Sequence, residues 1–293
     1  MKSLSLALSG GGLLGAAHLG VLRFLEDRNV RVTALAGTSA GGLVASLYAL
    51  GVDLERLIEL GQKVVDHPRD YFSVNLGIVD EWLPFLGRPA TGLIDPKRFL
   101  EELLALVPGR TTIADWKIPT VVTAVDLVSL ETVAFTNRPD TAKPARGHWR
   151  LISDAPLSLA MQATMAMPGL FRAPRNGKAL LVDGGVGDTL PLDWASALDP
   201  HRVVGIDVAT PAAIAADRMG LLDILSRSES YATETLSRLR DGAIPHVTVH
   251  PDTAGVPFFG FSAYAHLVET GYQAMEEAWP LLQEALSEPA SRG

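Results

Sequence analysis

Gly37-Thr38-Ser39-Ala40-Gly41 lies between an apolar, β-like run and a helix-like run, the place where a chain can expose a strained nucleophile. Glycines two residues either side of a serine let the backbone turn sharply from strand to helix without Cβ clashes. Gly37 and Gly41 therefore read as a nucleophile elbow from which the Ser39 hydroxyl projects. The chemistry of such a serine is acyl transfer, which needs donors for the negative charge that develops on the attacked carbonyl oxygen. Gly10-Gly11-Gly12 closes the first apolar run just before a helix and offers backbone amides with no side chains in the way, a candidate oxyanion hole. The bland reading of these glycines is a structural turn.

The serine also needs a base. Asp183 follows Ala179-Leu180-Leu181-Val182 and precedes Gly184-Gly185, at the carboxyl end of a strand, where open α/β sheets place their sites. Its competing reading is an Asp-Gly turn whose carboxylate caps its own loop. Asp126 and Asp207 end comparable strands and are read as structural. A Ser-His-Asp triad is the rival mechanism, with His250 the best placed histidine and His18 one turn into the helix after the glycine loop. Ser39 follows only two strands, however, whereas an α/β-hydrolase places several before its elbow. Gly10, Gly12 and Gly15 also satisfy a dinucleotide fingerprint, but that fold needs an acid at the tip of the next strand, where this chain has Gly37-Thr38-Ser39. No cofactor is expected. No metal is expected either, because His246 and His250 share a strand face without a third ligand.

The elements that position these residues alternate between strand-like and helix-like runs, which predicts an α/β fold with a mostly parallel sheet covered by helices. Strands are expected at Ser3 to Leu8, Val30 to Ala36, Thr120 to Val125, Glu131 to Phe135, Ala179 to Val182, Arg202 to Ile206 and His246 to Val249. Helices are expected over Leu13 to Arg28, Ala40 to Leu50 with Gly51 as its cap, Leu54 to Val65, Pro96 to Leu106, Leu221 to Leu239 and Ala263 to Leu286. Pro280 should kink or split the last of these. Residues 71–93, carrying Tyr71, Phe72, Trp82 and Phe85, break the rhythm and read as a cap or lid. Val256 to Tyr264 is a second aromatic cluster. Each would line an acyl-chain pocket or touch a membrane, with plain core packing as the alternative.

The 293 residues read as a single domain with one large core. A net charge of -8 argues against nucleic acid as a partner and against broad attraction to anionic lipid. Membrane contact, where it occurs, is then transient, peripheral, and apolar or local. The absence of cysteine fits a reducing compartment, and the short apolar start resembles no signal peptide, so a soluble, cytoplasmic protein is expected.

Taken in order, the Gly10-Gly11-Gly12 loop, the elbow at Ser39, the segment Ala163-Thr164-Met165-Ala166-Met167-Pro168-Gly169-Leu170-Phe171, Asp183-Gly184-Gly185 and Leu190-Pro191-Leu192 resemble the patatin-like phospholipases, close to small bacterial members related to neuropathy target esterase. The resemblance covers nearly the whole chain. It implies a three-layer α/β/α sandwich, Ser39 as nucleophile, Asp183 as general base, the glycine loop as oxyanion hole, and a lipid or acyl ester as substrate. One position departs from the pattern. Leu14 stands where the family usually carries Arg or Lys, which removes a nearby cation and makes phospholipids less certain substrates than neutral esters. A non-catalytic acyl-chain or lipid-binding module on the same scaffold is the alternative from another functional class, and sequence does not separate a hydrolase from an acyltransferase.

Overall fold

The protein is described here from a computed structural model covering residues 3–74, 91–208, 246–256 and 260–287, together with 224, 227, 228, 231–233 and 235. β1 (Ser3–Leu8) leads through a 3-10 turn (Gly12–Gly15) into α1 (Ala16–Asp27), and β2 (Arg31–Thr38) leads directly into α2 (Ala40–Leu50). α3 (Leu54–Asp66) and α4 (Pro68–Tyr71) follow, then the antiparallel pair β3 (Ser73–Val74) and β4 (Ile94–Asp95), then α5 (Lys97–Ala105). β5 (Thr120–Asp126), β6 (Glu131–Thr136) and β7 (Trp149–Ile152) precede α6 (Leu157–Thr164). β8 (Arg175–Asn176) and β9 (Ala179–Asp183) precede α7 (Leu192–Leu198), and β10 (Val203–Ile206), β11 (His246–Val249) and a long last helix (Tyr264–Ser287) follow.

The main sheet runs β11-β10-β1-β2-β5-β6-β7, with β9 also paired to β5 and β8 to β9. The five strands from β11 to β5 are mutually parallel, while β6 and β9 run antiparallel to β5. Alternation along the strands explains why helices cover both faces. Leu4, Leu6, Leu8, Leu35, Val122, Phe135, Val204 and Ile206 enter the larger core beneath α1, α2, α6 and the last helix. Ala7, Ala36, Val121, Ala134 and Val203 face the other way, where Leu192, Trp194 and Ala195 of α7 cover them. The result is the expected α/β/α layering.

Three local outcomes refine the sequence reading. The expected helix from Leu13 opens as a 3-10 turn, because Gly11 and Gly12 take φ of 156° and 58° and the chain joins α1 only at Ala16. Gly51 caps α2 in the left-handed conformation at φ 77°. The last helix is not split at Pro280 and runs from Tyr264 to Ser287. Pro280 and Glu276 lie on its exposed side, so the Glu276 carbonyl that loses its N–H partner can bond to water. Most of Leu221 to Leu239, residues 75–90 of the expected cap, and Pro257 to Phe259 lie outside the described residues. The described residues between 224 and 235 are helical.

α1 and the last helix pack backbone against backbone. A Cβ at Gly20 would collide with the Val268 carbonyl, and one at Gly271 with the Ala17 carbonyl. Phe24, edge-on to Tyr272 at 5.3 Å and to Trp279 at 5.6 Å, fills the space beyond this close approach. Because overpacking a tight contact costs about 1–3 kcal/mol, Gly20→Ala or Gly271→Ala should lower unfolding free energy by about 2 kcal/mol. Urea midpoints at unchanged m-value would measure the loss.

Candidate active site

The register along β5 sets the site. Thr38, the last residue of β2, pairs with Thr123, and Asp183, the last residue of β9, pairs with Ala124, the next residue along. β2 arrives parallel to β5 and β9 arrives antiparallel, so the two strands end head to head on one edge of it. Ser39 and Asp183 leave these ends. The Ser39 hydroxyl donates a 2.6 Å hydrogen bond to Asp183 Oδ2.

Each partner is held by its own surroundings. Ser39 has φ 54° and ψ −123°, a sparsely populated conformation that costs about 1–3 kcal/mol and persists only where neighbours enforce it. A side chain at Gly37 would strike the Gly41 carbonyl, and one at Gly41 would strike the Leu8 carbonyl, so both glycines are required by close approach. The Ser39 N–H donates to Thr164 Oγ1 at 2.9 Å, and the Ser39 carbonyl accepts from Leu43 N–H at 3.0 Å. Thr38 Oγ1 donates to the Asp188 carbonyl at 3.1 Å, so the Thr123 hydroxyl at 2.7 Å donates to Thr38. Asp183 is buried, its N–H bonds the Ala166 carbonyl, and its Oδ1 accepts from Gly185 N–H at 2.8 Å. The second carboxylate oxygen is thereby aimed at Ser39.

The glycine loop stands against the elbow, with the space for a Gly10 Cβ 3.2 Å from Ser39 Cβ. Gly10 itself is not an available donor. Its N–H bonds the Thr189 carbonyl at 3.0 Å, which fixes the loop to the segment after Asp183. The N–H groups of Gly11 and Gly12 have no hydrogen-bond partner among the described residues. Ser9, whose Oγ accepts from Val208 N–H at 2.9 Å, ties the same loop to the end of β10.

The other candidates are engaged elsewhere. Asp126 accepts from Val128 N–H, Ser129 Oγ, Leu180 N–H and Arg150, which makes it the tie of the β5–β6 turn. Asp207 faces His250 across 3.7 Å at the ends of β10 and β11. His18 is fully buried and its Nε2 lies 2.9 Å from the Ser9 carbonyl, so this nitrogen carries the proton. Its Nδ1 has no partner among the described residues. Neither histidine of the rival triad bonds Ser39 or Asp183. Among the described residues no group of three or more His, Asp or Glu side chains gathers as a metal site would. Leu14 is buried in the core under the glycine loop, an apolar environment rather than a substitute for a charge.

Residues 6–195 match the family described as Patatin-like phospholipase. The chain belongs to that family. Curated relatives include an uncharacterized NTE family protein of Mycobacterium tuberculosis, 28% identical over 70% of this chain and 48% of that protein. Patatin-like phospholipase domain-containing protein 6 of Mus musculus is 28% identical over 71% of this chain and 14% of its own length. The chain thus spans about half the length of the mycobacterial relative and far less of the mouse one. The crystal structure of VipD from Legionella pneumophila aligns with 97% of this chain and 67% of its own, at 16% identity and a TM-score of 0.45.

Thr164 is the residue of this patatin-like site that motif reading passed over, although it lies within the Ala163 to Phe171 segment. Thr164→Val would leave the elbow N–H unpaired, and an unsatisfied buried donor costs about 1–3 kcal/mol. Chemical denaturation should show a loss in that range, with Thr164→Ser close to wild type. His18 supplies a pH signature. Burial lowers its pKa from 6.5 to about 4, the bond to Ser9 only partly opposing the shift. The unfolded chain therefore binds this proton first, so His18 stabilises the fold fully above pH 6.5 and the contribution is lost as pH falls through about 4. A shift of this size corresponds to about 3 kcal/mol, and His18→Gln should flatten the pH dependence of the urea midpoint across that window.

Proposed function

We propose that this patatin-like protein is a serine hydrolase of lipid acyl esters working through a Ser39-Asp183 dyad. The observation that carries the reading is the 2.6 Å hydrogen bond from the Ser39 hydroxyl to Asp183 Oδ2, at an elbow whose strain presents that hydroxyl.

On this reading Ser39 Oγ attacks the acyl carbonyl carbon while its proton passes directly to Asp183. The tetrahedral oxyanion forms beside the glycine loop and accepts from the Gly11 and Gly12 amides, each such donor contributing about 3 kcal/mol to the barrier reduction. Gly10, bonded to Thr189, anchors the loop rather than donating. As the intermediate collapses, Asp183 returns the proton to the leaving alcohol and the acyl group stays on Ser39. A water molecule, giving its proton to Asp183, then attacks the acyl-enzyme, and the proton returns to Ser39 Oγ as the fatty acid leaves. A carboxylate is a weak base for a serine hydroxyl, so alignment and exclusion of water supply what basicity does not. Turnover is accordingly modest.

The substrate class is lipid acyl ester rather than phospholipid in particular. Leu14 places no cation under the loop, where the family's usual Arg or Lys would stand. The described roots of residues 71–93 dock on the stretch that follows α6: Leu93 N–H bonds the Gly169 carbonyl and Thr91 Oγ1 the Ala173 carbonyl. Phe72 packs between Phe99 and Phe171, its ring tilted to each, at 5.1 and 5.8 Å. These contacts hold the described ends of residues 71–93 against the segment that follows α6. No helix among the described residues is long and apolar enough to cross a membrane.

Ser39→Ala and Asp183→Asn should each lower kcat/KM for a p-nitrophenyl acyl ester by a factor of about 1,000 or more, with the far-UV circular dichroism unchanged. Wild-type rates in Asp183→Asn would exclude the base. A fluorophosphonate probe should label wild type at Ser39 and leave Ser39→Ala unlabelled; a pure acyl-binding module would not be labelled at Ser39 in either case.

A further inference from the structure

β5 runs past the dyad. From Ala124, opposite Asp183, it continues through Asp126 into the turn Leu127 to Leu130, which stands about 10 Å beyond the site at strand spacing. Leu127, Val128 and Leu130 are 43%, 65% and 75% exposed on this one turn. Apolar side chains gathered so closely in solvent mark a contact surface more often than single ones do. Leu130 also adopts φ 58°, a left-handed position that favours Gly or Asn, and its exposure leaves no packing to offset the strain.

The turn is rigid. Asp126 holds Val128 N–H and Ser129 Oγ at 3.0 Å, Leu180 N–H at 3.3 Å and Arg150 at 3.1 Å, and Leu130 N–H bonds the Asp126 carbonyl at 2.8 Å. Through Leu127 N–H to the Leu180 carbonyl, 3.0 Å, it lies side by side with the β8–β9 turn, where Arg175 and Lys178 are exposed. Arg146 and His148, also exposed, lead into β7 beside the same end of β6. The acids of these turns, Asp126 and Glu131, both face Arg150, at 3.1 and 3.6 Å. With Arg146, Arg175 and Lys178, four cations stand against these two acids, on a chain whose net charge is -8. By contrast, of the described aromatics in the two clusters singled out from sequence, Tyr71, Phe72 and Phe261 are partly buried against the core and Tyr264 is buried within it.

We propose that the paired turns 127–130 and 175–178 form the surface on which this protein docks to an anionic lipid bilayer. Leu127, Val128 and Leu130 enter the acyl boundary, and Arg146, Arg175 and Lys178 meet lipid phosphates. The inference rests on the lipid-ester reading above, because docking here turns the dyad's end of the sheet toward the membrane.

The chain has no cysteine, so Val128→Cys takes a single environment-sensitive fluorophore, and Asp140→Cys, beyond the opposite end of β6, is the control. With vesicles of equal parts phosphatidylcholine and phosphatidylglycerol, the label at position 128 should shift to the blue and the label at 140 should not. Val128→Ser with Leu130→Asn should weaken wild-type vesicle binding about tenfold or more, while hydrolysis of a water-soluble short-chain ester stays unchanged. Leu130→Asn alone suits the left-handed position and should hold or raise Tm, which separates lost docking from lost folding. Unchanged vesicle affinity in the double variant, a shift at 140 instead of 128, or no wild-type binding would each overturn the proposal. A shift at 128 that follows protein concentration without vesicles would assign the surface to a second copy and overturn it too. Equal binding to phosphatidylcholine alone would overturn the role of the basic residues. A protein that hydrolyses the soluble ester without binding vesicles loses only the docking surface; one that binds but does not hydrolyse loses only the catalytic reading.

Discussion

One strand measures out the site. Consecutive residues of β5, Thr123 and Ala124, pair with Thr38 and Asp183, the terminal residues of strands arriving from opposite directions. The separation of Ser39 from Asp183 is therefore fixed by backbone hydrogen bonding inside a sheet buried on both faces, and not by a flexible loop. Close-packed interiors resist sub-ångström change, which is what the direct proton transfer proposed between these two short side chains demands. A histidine between them would add reach and adaptability; without one, positional accuracy falls to the sheet.

That accuracy extends outward through hydrogen bonds that lock neighbours rather than touch Ser39 Oγ or Asp183 Oδ2. The Thr123-Thr38-Asp188 chain joins β5, β2 and the segment after Asp183, while Thr164 ties the elbow to α6. Gly10 bonds Thr189 in that same segment, and Ser9 bonds Val208. The strained conformation of Ser39 is thus held from several sides at once. Strain of about 1–3 kcal/mol is a substantial part of a marginal stability, and it is tolerated because it resides in a network where each member has another reason to stay in place.

Much of this was legible in the sequence where composition and local geometry coincide. Fully buried parallel strands need continuous apolar runs, so β1, β5 and β10 stood out. Ser39 announced itself because only glycine fits at Gly37 and Gly41, and Asp183 because it ends an apolar run before two glycines. What their order could not convey is that β9 runs antiparallel to β5, since pairing between residues far apart in sequence leaves no local trace. Nor can spacing say which of three adjacent amides is already bonded, which is why Gly10 passed for a donor. α6 and α7 are short and carry no side-chain cap, and β7 is a four-residue strand whose residues are all half-buried, so none offered a period to read. Pro280 does not split the last helix for a related reason, because whether an orphaned carbonyl can be solvated depends on which side of the helix it occupies.

The length of β5 links the Ser39–Asp183 pair to the surface beyond it. Had β5 stopped level with β2, its edge would have no room for β9, and the carboxylate would have no strand to carry it to Ser39. Because β5 extends past the elbow, its far half takes β9 along one edge and β6 along the other, and both hairpin turns must project from the sheet on the side where Ser39 and Asp183 meet. Projecting turns usually carry polar or glycine-rich sequence, yet here Leu127, Val128 and Leu130 crown the turn and Asp126 spends its hydrogen-bonding capacity holding it rigid. A rigid apolar turn at that place is hard to account for as a requirement of folding, since Leu130 would fold at lower strain as glycine or asparagine. Its presence is explained by something the turn meets outside the protein, at the end of the sheet where Ser39 and Asp183 meet.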